Sequence, residues 1–306
     1  MSTIVRKLFR AITNPEIRFN YLSSAGFYNH VSDEMFLKKK FELKMGYPLD
    51  LENPKTFNEK LQWLKIYDRR PEYTMMVDKY ESKNYVASLI GEEYIIPTIG
   101  VWDRFEDIEF DELPNQFVLK CTHDSGGVFI VRDKNSMDKE AIRKRIKHLM
   151  NQNYYYHGRE WPYKNVKPRL IIEEYLESLE SNALKEYKIF CFNGEPKLFL
   201  VCKGAAHGAG RTNDFYDLDF QHIPLCATYP NASQLESKPD VYEKLIEIAK
   251  KVSKGIPQLR VDTYVVDGKI YVGETTFYHD SGFCRLKPEK YDYEFGKLIE
   301  LPKKGK

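Results

Sequence analysis

Two dipeptides typical of tight turns, Asn193-Gly194 and Asp267-Gly268, each separate two apolar, strand-like segments. The first turn lies between YKIFCF and EPKLFLVCK, and the second lies between LRVDTYVV and KIYVGETTF. Both dipeptides favour the positive φ angles of hairpin turns, and strands joined by such turns are antiparallel. The pattern therefore predicts an α+β fold with hairpins and separate helices, and it disfavours the strict βαβ alternation of a parallel sheet.

Helical patterns dominate the first part of the chain, up to residue 92. Thr56 and Glu59 have the spacing of a capping box, and one further helix is predicted over residues 74–91, ending at Gly91. Later helices are predicted over residues 137–150 and 239–255, and RLIIEEYL at residues 169–176 has the pattern of a buried strand.

Composition excludes several classes of protein. Among 306 residues, 42% are hydrophobic and 14% are aromatic, which is incompatible with a disordered chain. The 47 basic and 45 acidic residues nearly cancel, so the net charge of +2 gives no drive toward nucleic acid. The five cysteines are scattered and form no CxxC pair, which favours reduced thiols in the cytoplasm.

The N-terminus, MSTIVRKLFRAI, combines basic residues with apolar residues at helical spacing. No apolar run in the chain reaches the ~20 residues of a membrane span, and no secretory cleavage pattern follows this segment. Two interpretations remain: peripheral contact with the inner face of a membrane, or a first helix docked on its own domain, which we favour. We expect a cytoplasmic protein.

Lys120 stands near the end of a predicted strand and is followed by Asp124, Ser125, Gly126 and Gly127. In one interpretation, Lys120 is a charge on an edge strand and the glycines only form a turn. In the other, the backbone amides of the loop close over phosphate oxygens, and Lys120 supplies a positive charge for the same anion. The order of residues differs from the P-loop, in which the lysine follows the glycines.

The second hairpin carries polar residues within core-like strands: Arg260, Asp262, Glu274 and Thr276. A two-residue turn would pair Val266 with Lys269 and send the two carboxylates to opposite faces. A three-residue loop would pair Val265 with Lys269 and set Arg260 opposite Glu274, diagonal to Asp262. The second register would form a Mg²⁺ site with an arginine beside it; the alternative is a solvated face with an ordinary ion pair.

A third polar group follows the strand that ends in Glu173 and Glu174. Glu186 and Lys188 are separated by one residue, so on a strand both side chains point to the same side. A carboxylate there can accept hydrogen bonds from ribose hydroxyls, and a lysine can meet a terminal phosphate. An exposed, charged edge is the alternative.

In this order, the charged residues resemble those of the ATP-grasp superfamily, in which two α+β subdomains close on ATP. The resemblance is closest to the TupA-like branch, which is associated with teichuronopeptide and surface-polysaccharide biosynthesis. It is carried by NPKTFNEKLQWLKIYDR, VDKY, LPNQFVLKCTHDSGG, REWPYKNVKPRLIIEEYL, EYKIFCFNGEPKLFLV and VDTYVVDGKIYVGETTF. Together these segments cover most of the chain from about residue 45 to residue 290.

The resemblance implies a set of ATP-binding residues. Lys120 would bind the α- and β-phosphates, under the loop formed by Asp124, Ser125, Gly126 and Gly127. The backbone of Glu174, Tyr175 and Leu176 would read the adenine edge, and Glu186 would hold the ribose. It also implies four regions: a helical N-terminal region (1–92), one subdomain with the lysine and glycine loop (93–176), one with the metal and ribose side chains (177–290), and a C-terminal tail (291–306).

The remaining roles implied by the resemblance concern catalysis and metal binding. Lys188 and Arg260 would face the γ-phosphate, and Asp262 and Glu274 would coordinate Mg²⁺. Thr276 stands where many ATP-grasp enzymes have asparagine, so a second ion depends on its hydroxyl or on a water. The expected cofactors are ATP and one or two Mg²⁺ ions.

The activity implied is that of a carboxylate–amine ligase that forms an amide through an acyl phosphate. Its carboxylate and amine substrates would be linked to a capsular or cell-wall glycan. One alternative is a glycosyltransferase that uses Asp217 and Asp219 as a DxD metal motif, and another is an ATP-grasp kinase that phosphorylates a glycan.

Some further residues have a structural and a functional interpretation. His123 and His207 lie beside glycine-rich loops and are expected to be solvated more often than functional. Asp78 and Lys79 are expected to form an exposed helical pair. The tyrosine-rich segment at residues 153–168 either stacks against a sugar, covers the nucleotide or forms a surface loop packed on the core.

Overall fold

The computed structural model describes residues 13–177, 185–204 and 210–304. The helices in these ranges that have at least four residues and α geometry are α1 (Pro15–Ser24), α2 (Asp33–Met45), α3 (Phe57–Tyr67), α4 (Glu72–Val77), α5 (Glu81–Ile90), α6 (Lys139–Met150), α7 (Tyr155–Gly158), α8 (Tyr242–Ser253) and α9 (Lys290–Leu298). The strands are β1 (Thr98–Trp102), β2 (Phe117–Cys121), β3 (Val128–Val131), β4 (Leu170–Glu174), β5 (Lys185–Phe192), β6 (Glu195–Lys203), β7 (Thr212–Tyr216), β8 (His222–Ile223), β9 (Gln258–Val266) and β10 (Lys269–Thr276).

The capping box at the start of α3 is confirmed. The Glu59 amide donates to the Thr56 hydroxyl at 3.1 Å, and the Thr56 amide donates to the Glu59 carboxylate at 2.9 Å. These two bonds satisfy backbone donors that a helix start would otherwise leave unpaired. The ring of Phe57, at the first position of α3, packs against Phe190 and Phe192 of β5. The helix is therefore fixed on the sheet that contains β5.

The prediction of one helix over residues 74–91 is wrong, because Asp78 divides it into α4 and α5. The Asp78 carboxylate accepts from the Tyr80 amide at 2.9 Å, and the Lys79 amide donates to the Thr122 carbonyl at 3.1 Å. Side-chain bonds of this kind compete with the helical backbone pattern. Asp78 is buried and accepts from Arg169 at 2.8 Å, so the expectation of an exposed Asp78–Lys79 pair is also wrong.

The smaller sheet has four antiparallel strands in the order β1-β4-β2-β3. Alternate residues of β2, including Phe117 and Leu119, are buried in a small core with Ile146 of α6. The face of β2 that carries Lys120 points away from that core. Because β2 pairs with β3 on one side and with β4 on the other, Lys120 does not lie on an edge strand.

The larger sheet has six antiparallel strands in the order β10-β9-β5-β6-β7-β8. The predicted hairpin turns are confirmed: Asn193-Gly194 and Asp267-Gly268 have positive φ angles at both residues, as two-residue turns require. This sheet shares one hydrophobic core with α3, α8 and α9.

Ile95, which precedes β1 in the chain, forms an isolated parallel bridge with Val272 of β10 in the larger sheet. The C-terminal helix α9 packs on α3, where Asn58 Nδ2 donates to the Asp292 carboxylate at 2.9 Å. The α+β fold is thus confirmed, while the region boundaries at residues 92, 176 and 290 stay predictions. Within the ranges described, no helix combines the length and apolar character needed to cross a bilayer.

Candidate functional site

Three charged side chains form a row across neighbouring strands of the larger sheet. Lys188 on β5 is the register partner of Asp262 on β9, and Asp262 is the register partner of Glu274 on β10. Directly opposed residues in antiparallel strands point to the same face. The Lys188 ammonium group donates to Asp262 Oδ2. A lysine and two carboxylates are therefore brought together by strand pairing alone.

The register of the second hairpin agrees with the predicted two-residue turn up to Val272 and departs from it beyond that residue. The turn has two residues, with Val266 opposite Lys269, yet Asp262 and Glu274 share a face. The expected consequence of a two-residue turn was wrong, because Gly273 is an extra residue that forms a β-bulge between Val272 and Glu274. The three-residue loop is not formed, and Arg260 is opposite Thr276 rather than Glu274.

Gly273 occupies a place where a side chain would not fit. A Cβ atom at this position would lie 2.7 Å from Cε2 of Tyr264, on the neighbouring strand. Real Cβ atoms do not approach a ring carbon so closely. The bulge that sets Glu274 opposite Asp262 therefore depends on the absence of a side chain at residue 273.

Arg260 is the most highly connected side chain of this group. Its Nε and Nη2 donate to Oδ1 and Oδ2 of Asp262 at 2.6 and 2.7 Å, and Nη2 also donates to the Thr276 hydroxyl at 3.1 Å. Its Nη1 lies 2.7 Å from Nδ1 of His279, and its Nη2 lies 3.8 Å from Glu274 Oε1. Burial alone would lower the pKa of Arg260, but the charge and hydrogen bonds of Asp262, together with the charges of Glu274 and Glu186, outweigh burial and raise it.

Asp262 is ionised despite its burial. Burial raises the pKa of a carboxyl group, but the charges of Arg260 and Lys188 and their hydrogen bonds outweigh that effect and lower the pKa of Asp262. Glu274 is different, since its side chain is 47% exposed. Asp262, Glu274 and the Thr276 hydroxyl offer the oxygen ligands that Mg²⁺ prefers. This set of oxygen atoms suits the ion, and its binding there stays a prediction.

Glu186 lies beside this row and links two cations. Its Oε1 accepts from the Lys188 ammonium group at 2.7 Å, and its Oε2 accepts from Arg211 Nη2 at 3.0 Å. The Arg211 guanidinium also lies 5.6 Å from the ring centre of Tyr229. Arg211 was not among the predicted site residues, because it follows a glycine-rich loop and has no charged neighbour in sequence to signal a role.

On the smaller sheet, Lys120 forms an ion pair with Glu173, the residue before the predicted hinge residue Glu174. The second oxygen of Glu173 lies 2.5 Å from the ammonium group of Lys83 on α5. Burial raises the pKa of Glu173, but Lys120 and Lys83 outweigh burial and lower it. Glu174 is exposed. Of the two adjacent glutamates, Glu173 faces Lys120, and sequence reasoning did not select it.

The predicted phosphate loop is anchored at one end and open at the other. Lys79 donates to the Asp124 carbonyl, and the Gly127 amide donates to Asp124 Oδ1 at 3.3 Å. Ser125 and Gly126 are exposed at the tip, and nothing lies within 4 Å of a Cβ placed at Gly126, where φ is +108°. The loop tip thus has room for a ligand over its backbone amides.

Three tyrosines connect the charged groups of the two sheets. Burial raises the pKa of Tyr154, and Glu160 and Glu274 raise it further, whereas a hydrogen bond with Ser125 of the glycine loop lowers it; the net pKa is well above its ordinary value. Burial likewise raises the pKa of Tyr264, and carboxylates of both sheets, including Glu186 and Glu173, add to the effect. Burial also raises the pKa of Tyr163, and Glu274 and Asp124 are among the groups that raise it further. The acidic groups of both sheets therefore surround one region.

Some other residues considered in the sequence analysis have structural contacts or lie outside the described ranges. Asp217 accepts from the amides of Asp219 and Gln221 at 3.0 and 2.8 Å, so its carboxylate closes the turn between β7 and β8. His123 is buried, contrary to the expected solvated ring, and its Nε2 lies 3.2 Å from the Leu149 carbonyl. His207 and the first 12 residues lie outside the described ranges.

A comparison with protein families decides the relationship of this chain. The model of the family described as TupA-like ATPgrasp matches residues 59–300, which is most of the chain. The chain belongs to the TupA-like ATP-grasp family. A search of curated proteins found no match.

Solved structures of other ATP-grasp proteins are similar at low identity. D-alanine–D-alanine ligase from Bacillus anthracis complexed with ATP is 20% identical over 66% of this chain and 55% of that chain, with a TM-score of 0.38. The same enzyme from Helicobacter pylori is 15% identical over 81% and 70%, with a TM-score of 0.39. The biotin carboxylase domain of Hydrogenobacter thermophilus 2-oxoglutarate carboxylase, with MgADP and bicarbonate, is 15% identical over 66% and 40%, with a TM-score of 0.38. This chain thus spans only about half the length of the first of these ligases.

Within this TupA-like ATP-grasp chain, the structure adds Lys83, Glu173, Arg211 and His279 to the residues that contact the predicted site. Glu173 contacts Lys120, Arg211 contacts Glu186 and His279 contacts Arg260, whereas Lys83 reaches the site through Glu173. Only Glu173 carried a signal that could have been used: it follows Ile171 by two residues on a strand, so it points to the side opposite the buried Leu170 and Ile172.

Proposed function

We propose that this protein is an ATP-dependent carboxylate–amine ligase that forms an amide bond through an acyl phosphate. The observation that carries the proposal is the row of Lys188, Asp262 and Glu274, with Arg260 bound to its central residue. Such a row combines positive charge for a transferring phosphoryl group with oxygen ligands for its metal ion. Family membership supports ATP as the phosphoryl donor.

The nucleotide would lie between the two sheets. Lys120 would contact the α- and β-phosphates, and the amides of residues 124–127 would cover them. The backbone of Glu174, Tyr175 and Leu176 would meet the adenine, and Glu186 would meet the ribose. Binding requires the Lys120 ammonium group to exchange part of its contact with Glu173 for phosphate oxygens, while Lys83 continues to neutralise that carboxylate.

Asp262, Glu274 and Thr276 would hold Mg²⁺, which would screen the negative charge of the phosphate oxygens when bound. Lys188 and Arg260 would face the γ-phosphate. Because Asp262 already orients both cations, they need little rearrangement as charge develops during transfer, and such preorganised groups account for much of catalysis by electrostatics.

The proposed reaction has two balanced steps. First, a carboxylate oxygen of the substrate attacks the γ-phosphorus of ATP, and ADP leaves, which gives an acyl phosphate. Next, an amine nitrogen attacks the acyl carbon; the C–N bond forms, the C–O bond to phosphate breaks, and the amine loses a proton to solvent. Neither step uses a nucleophile from the protein.

In keeping with the TupA-like relationship, we propose that one substrate is a uronic acid or another acidic unit of a capsular or cell-wall polysaccharide or of its precursor. Joining an amino acid to a uronic acid would satisfy both chemical requirements. The second substrate would supply the amine. Contact with the inner face of the membrane through the N-terminus belongs to the same proposal.

The proposal is tested by ADP release from MgATP with glucuronic and galacturonic acids, each combined with a set of amino acids. Hydroxylamine in place of the amino acid should trap the acyl phosphate as a hydroxamate. We expect ADP release to require the uronic acid, and the amount of hydroxamate to increase in proportion to the uronic acid supplied. ADP release at a rate that does not depend on the acid or the amine supplied would contradict the proposal.

Glu274→Gln is expected to abolish hydroxamate formation, and Asp219→Asn, a change in the exposed turn after β7, serves as the matched control. Phosphorus NMR of the products separates the alternatives. A phosphate ester on the sugar would identify a kinase, and consumption of a sugar nucleotide without ATP would identify a glycosyltransferase. Either product would overturn the ligase assignment.

A further inference from the structure

The turn that follows β10 has an unusual backbone conformation beside Arg260. Asp280 and Ser281 both have left-handed angles, with φ of 46° and 55°. Residues other than glycine rarely adopt this conformation, and each one is strained unless the surroundings impose it. Two consecutive residues of this kind require strong external support.

Helix α3 supplies that support. The Lys65 ammonium group donates to the Ser281 carbonyl at 2.7 Å and to the Gly158 carbonyl at 2.8 Å. Gln62 Nε2 donates to the Gly282 carbonyl at 2.5 Å. Lys65 and Gln62 are both buried. Because the carbonyls of the turn are held from one side, the side chain of Asp280 is directed by a rigid backbone.

The Asp280 carboxylate lies next to the arginine of the proposed phosphate site. Its Oδ2 accepts from the Thr228 hydroxyl, and its Oδ1 lies 4.0 Å from Nδ1 of His279. The same Nδ1 lies 2.7 Å from Arg260 Nη1 and accepts a hydrogen bond from it. Asp280 keeps 39% of its side chain exposed, whereas His279 is buried. A carboxylate with open access therefore stands one residue beyond the group that contacts Arg260.

The charges of the site leave this carboxylate free to take a cation. Lys188, Arg260 and Arg211 are compensated by Asp262, Glu186 and Glu274 through the contacts described above. Asp280 is an additional anion, and its hydrogen-bond partners Thr228 and Cys284 are neutral side chains. Burial raises the pKa of Asp280, but His279, the Thr228 hydrogen bond and Arg260 outweigh it and lower that pKa to about 2, so the group is ionised.

A metal ion is a poorer occupant than an organic cation. Ligand atoms of His279, Asp280 and Cys284 lie within 4.8 Å of one another, which is compatible with a metal. However, Nδ1 of His279 is occupied by the guanidinium of Arg260. Burial raises the pKa of the Cys284 thiol well above its ordinary value, so the thiolate that binds metals is disfavoured. An organic cation that donates hydrogen bonds to the Asp280 carboxylate needs neither the His279 nitrogen nor the Cys284 thiolate.

We propose that Asp280, together with Thr228, forms the subsite that binds the ammonium group of the amine substrate. The inference rests on the proposed ligase function and specifies its second substrate as a primary amine, bound as its cation beside the γ-phosphate site. Charge-assisted hydrogen bonds from the ammonium group to Asp280 would fix the nitrogen, which gives one proton to solvent before it attacks the acyl carbon and a second proton to solvent as the amide forms.

The test is saturation-transfer NMR of methylammonium with the full chain and MgADP. Methanol, which has similar size and no charge, serves as the neutral probe. Wild type should give a saturable signal with methylammonium and none with methanol. Asp280→Asn should weaken methylammonium binding by about tenfold, as expected for the loss of one hydrogen bond to a charged group. Asparagine tolerates the left-handed angle at residue 280, so the variant is suited to fold.

Thr228→Val, which removes only the hydroxyl group, should weaken binding less than Asp280→Asn, and Asp219→Asn should bind as wild type does. The melting temperature of each variant shows whether it is folded. Equal binding by folded Asp280→Asn and wild type, or no saturable binding by wild type, would overturn the assignment. The increase in melting temperature of wild type with MgATP is measured in parallel. If MgATP stabilises wild type and the amine does not bind, the subsite alone is wrong. If MgATP fails to bind, the proposed function is wrong.

Discussion

Arg260 and Asp262, two residues apart on β9, are joined by two parallel hydrogen bonds of 2.6 and 2.7 Å, and both side chains are buried. Lys188 donates to the same carboxylate from the neighbouring strand. One buried anion thus compensates two buried cations. The arrangement links stability to function, because the groups proposed to bind phosphate are held by a group proposed to bind metal.

Replacing Asp262 with alanine should destabilise the protein by about 3–5 kcal/mol, because it leaves Arg260 and Lys188 buried with one fewer anion. Urea unfolding measures the change in the free energy of unfolding. The control is Glu274→Gln on the opposite strand, whose half-exposed side chain should change stability by less than about 1 kcal/mol. Equal effects of the two substitutions would contradict the assignment of Asp262 as the structural centre of the row.

Gly273→Ala should destabilise the hairpin by about 1–3 kcal/mol, since the new methyl group would overlap the ring of Tyr264. The same change should displace Glu274 and raise the Mg²⁺ concentration needed for nucleotide binding. Thermal unfolding and a Mg²⁺ titration of MgATP binding measure the two effects. Gly268→Asn in the turn is the control: asparagine accepts the positive φ, and the site has open space.

The hairpin shows how far local sequence determines a site. The Asp267-Gly268 dipeptide was sufficient to predict a hairpin at this point, because its conformational preference is local, but it left a two-residue turn and a three-residue loop open. The bulge at Gly273 was not predictable in the same way, since it depends on the ring of Tyr264 on another strand. A shift of one residue reverses which face every later side chain occupies, so a correct turn alone left the position of Glu274 undetermined.

Lys120→Met and Lys188→Met should affect nucleotides differently. Lys120 is proposed to contact phosphates that ATP and ADP share, so its loss should weaken both by about tenfold or more. Lys188 is proposed to face the γ-phosphate, so its loss should weaken MgATP more than MgADP. Calorimetric titration gives the ratio of the two dissociation constants. An unchanged ratio in Lys188→Met would place that lysine away from the γ-phosphate.

His279 should make stability depend on pH. Burial lowers the pKa of His279 to about 4; the charge of Asp280 opposes this shift, and the charges of Arg260 and Lys188 add to it. Between an ordinary pKa near 6.5 and a folded value near 4, the unfolded chain binds the proton more readily than the folded chain does. Stability should therefore fall as the pH decreases through this window, by at most about 3 kcal/mol.

His279→Gln retains an acceptor for Arg260 and removes this titration. The difference in the free energy of unfolding between wild type and the variant should thus shift in favour of the variant from pH 7 to pH 4.5. Other titrating groups, such as Asp292, contribute equally to both proteins and cancel in the difference. A constant difference across the window would show that His279 titrates normally.

Contacts across long sequence distances explain the site residues that sequence reasoning did not select. Lys83 reaches Glu173 from a helix 90 residues earlier in the chain, and His279 reaches Arg260 from the turn after β10. Neither contact has a signature in spacing or composition. Lys188 and Asp262 were selected because they are polar residues within apolar strands. The alternation of side chains between the two faces of a strand makes such residues visible in the sequence.

The attachment of α3 to both the larger sheet and the turn at residues 279–282 has a practical consequence for protein engineering. A shortened chain that begins at residue 60 would lack the cap of α3, the ring of Phe57 against β5 and the bonds of Asn58 to α9. Without a stable α3, Lys65 and Gln62 could not hold the left-handed backbone of Asp280 and Ser281. Expression trials should therefore treat the early helices as part of the enzymatic unit rather than as a removable leader.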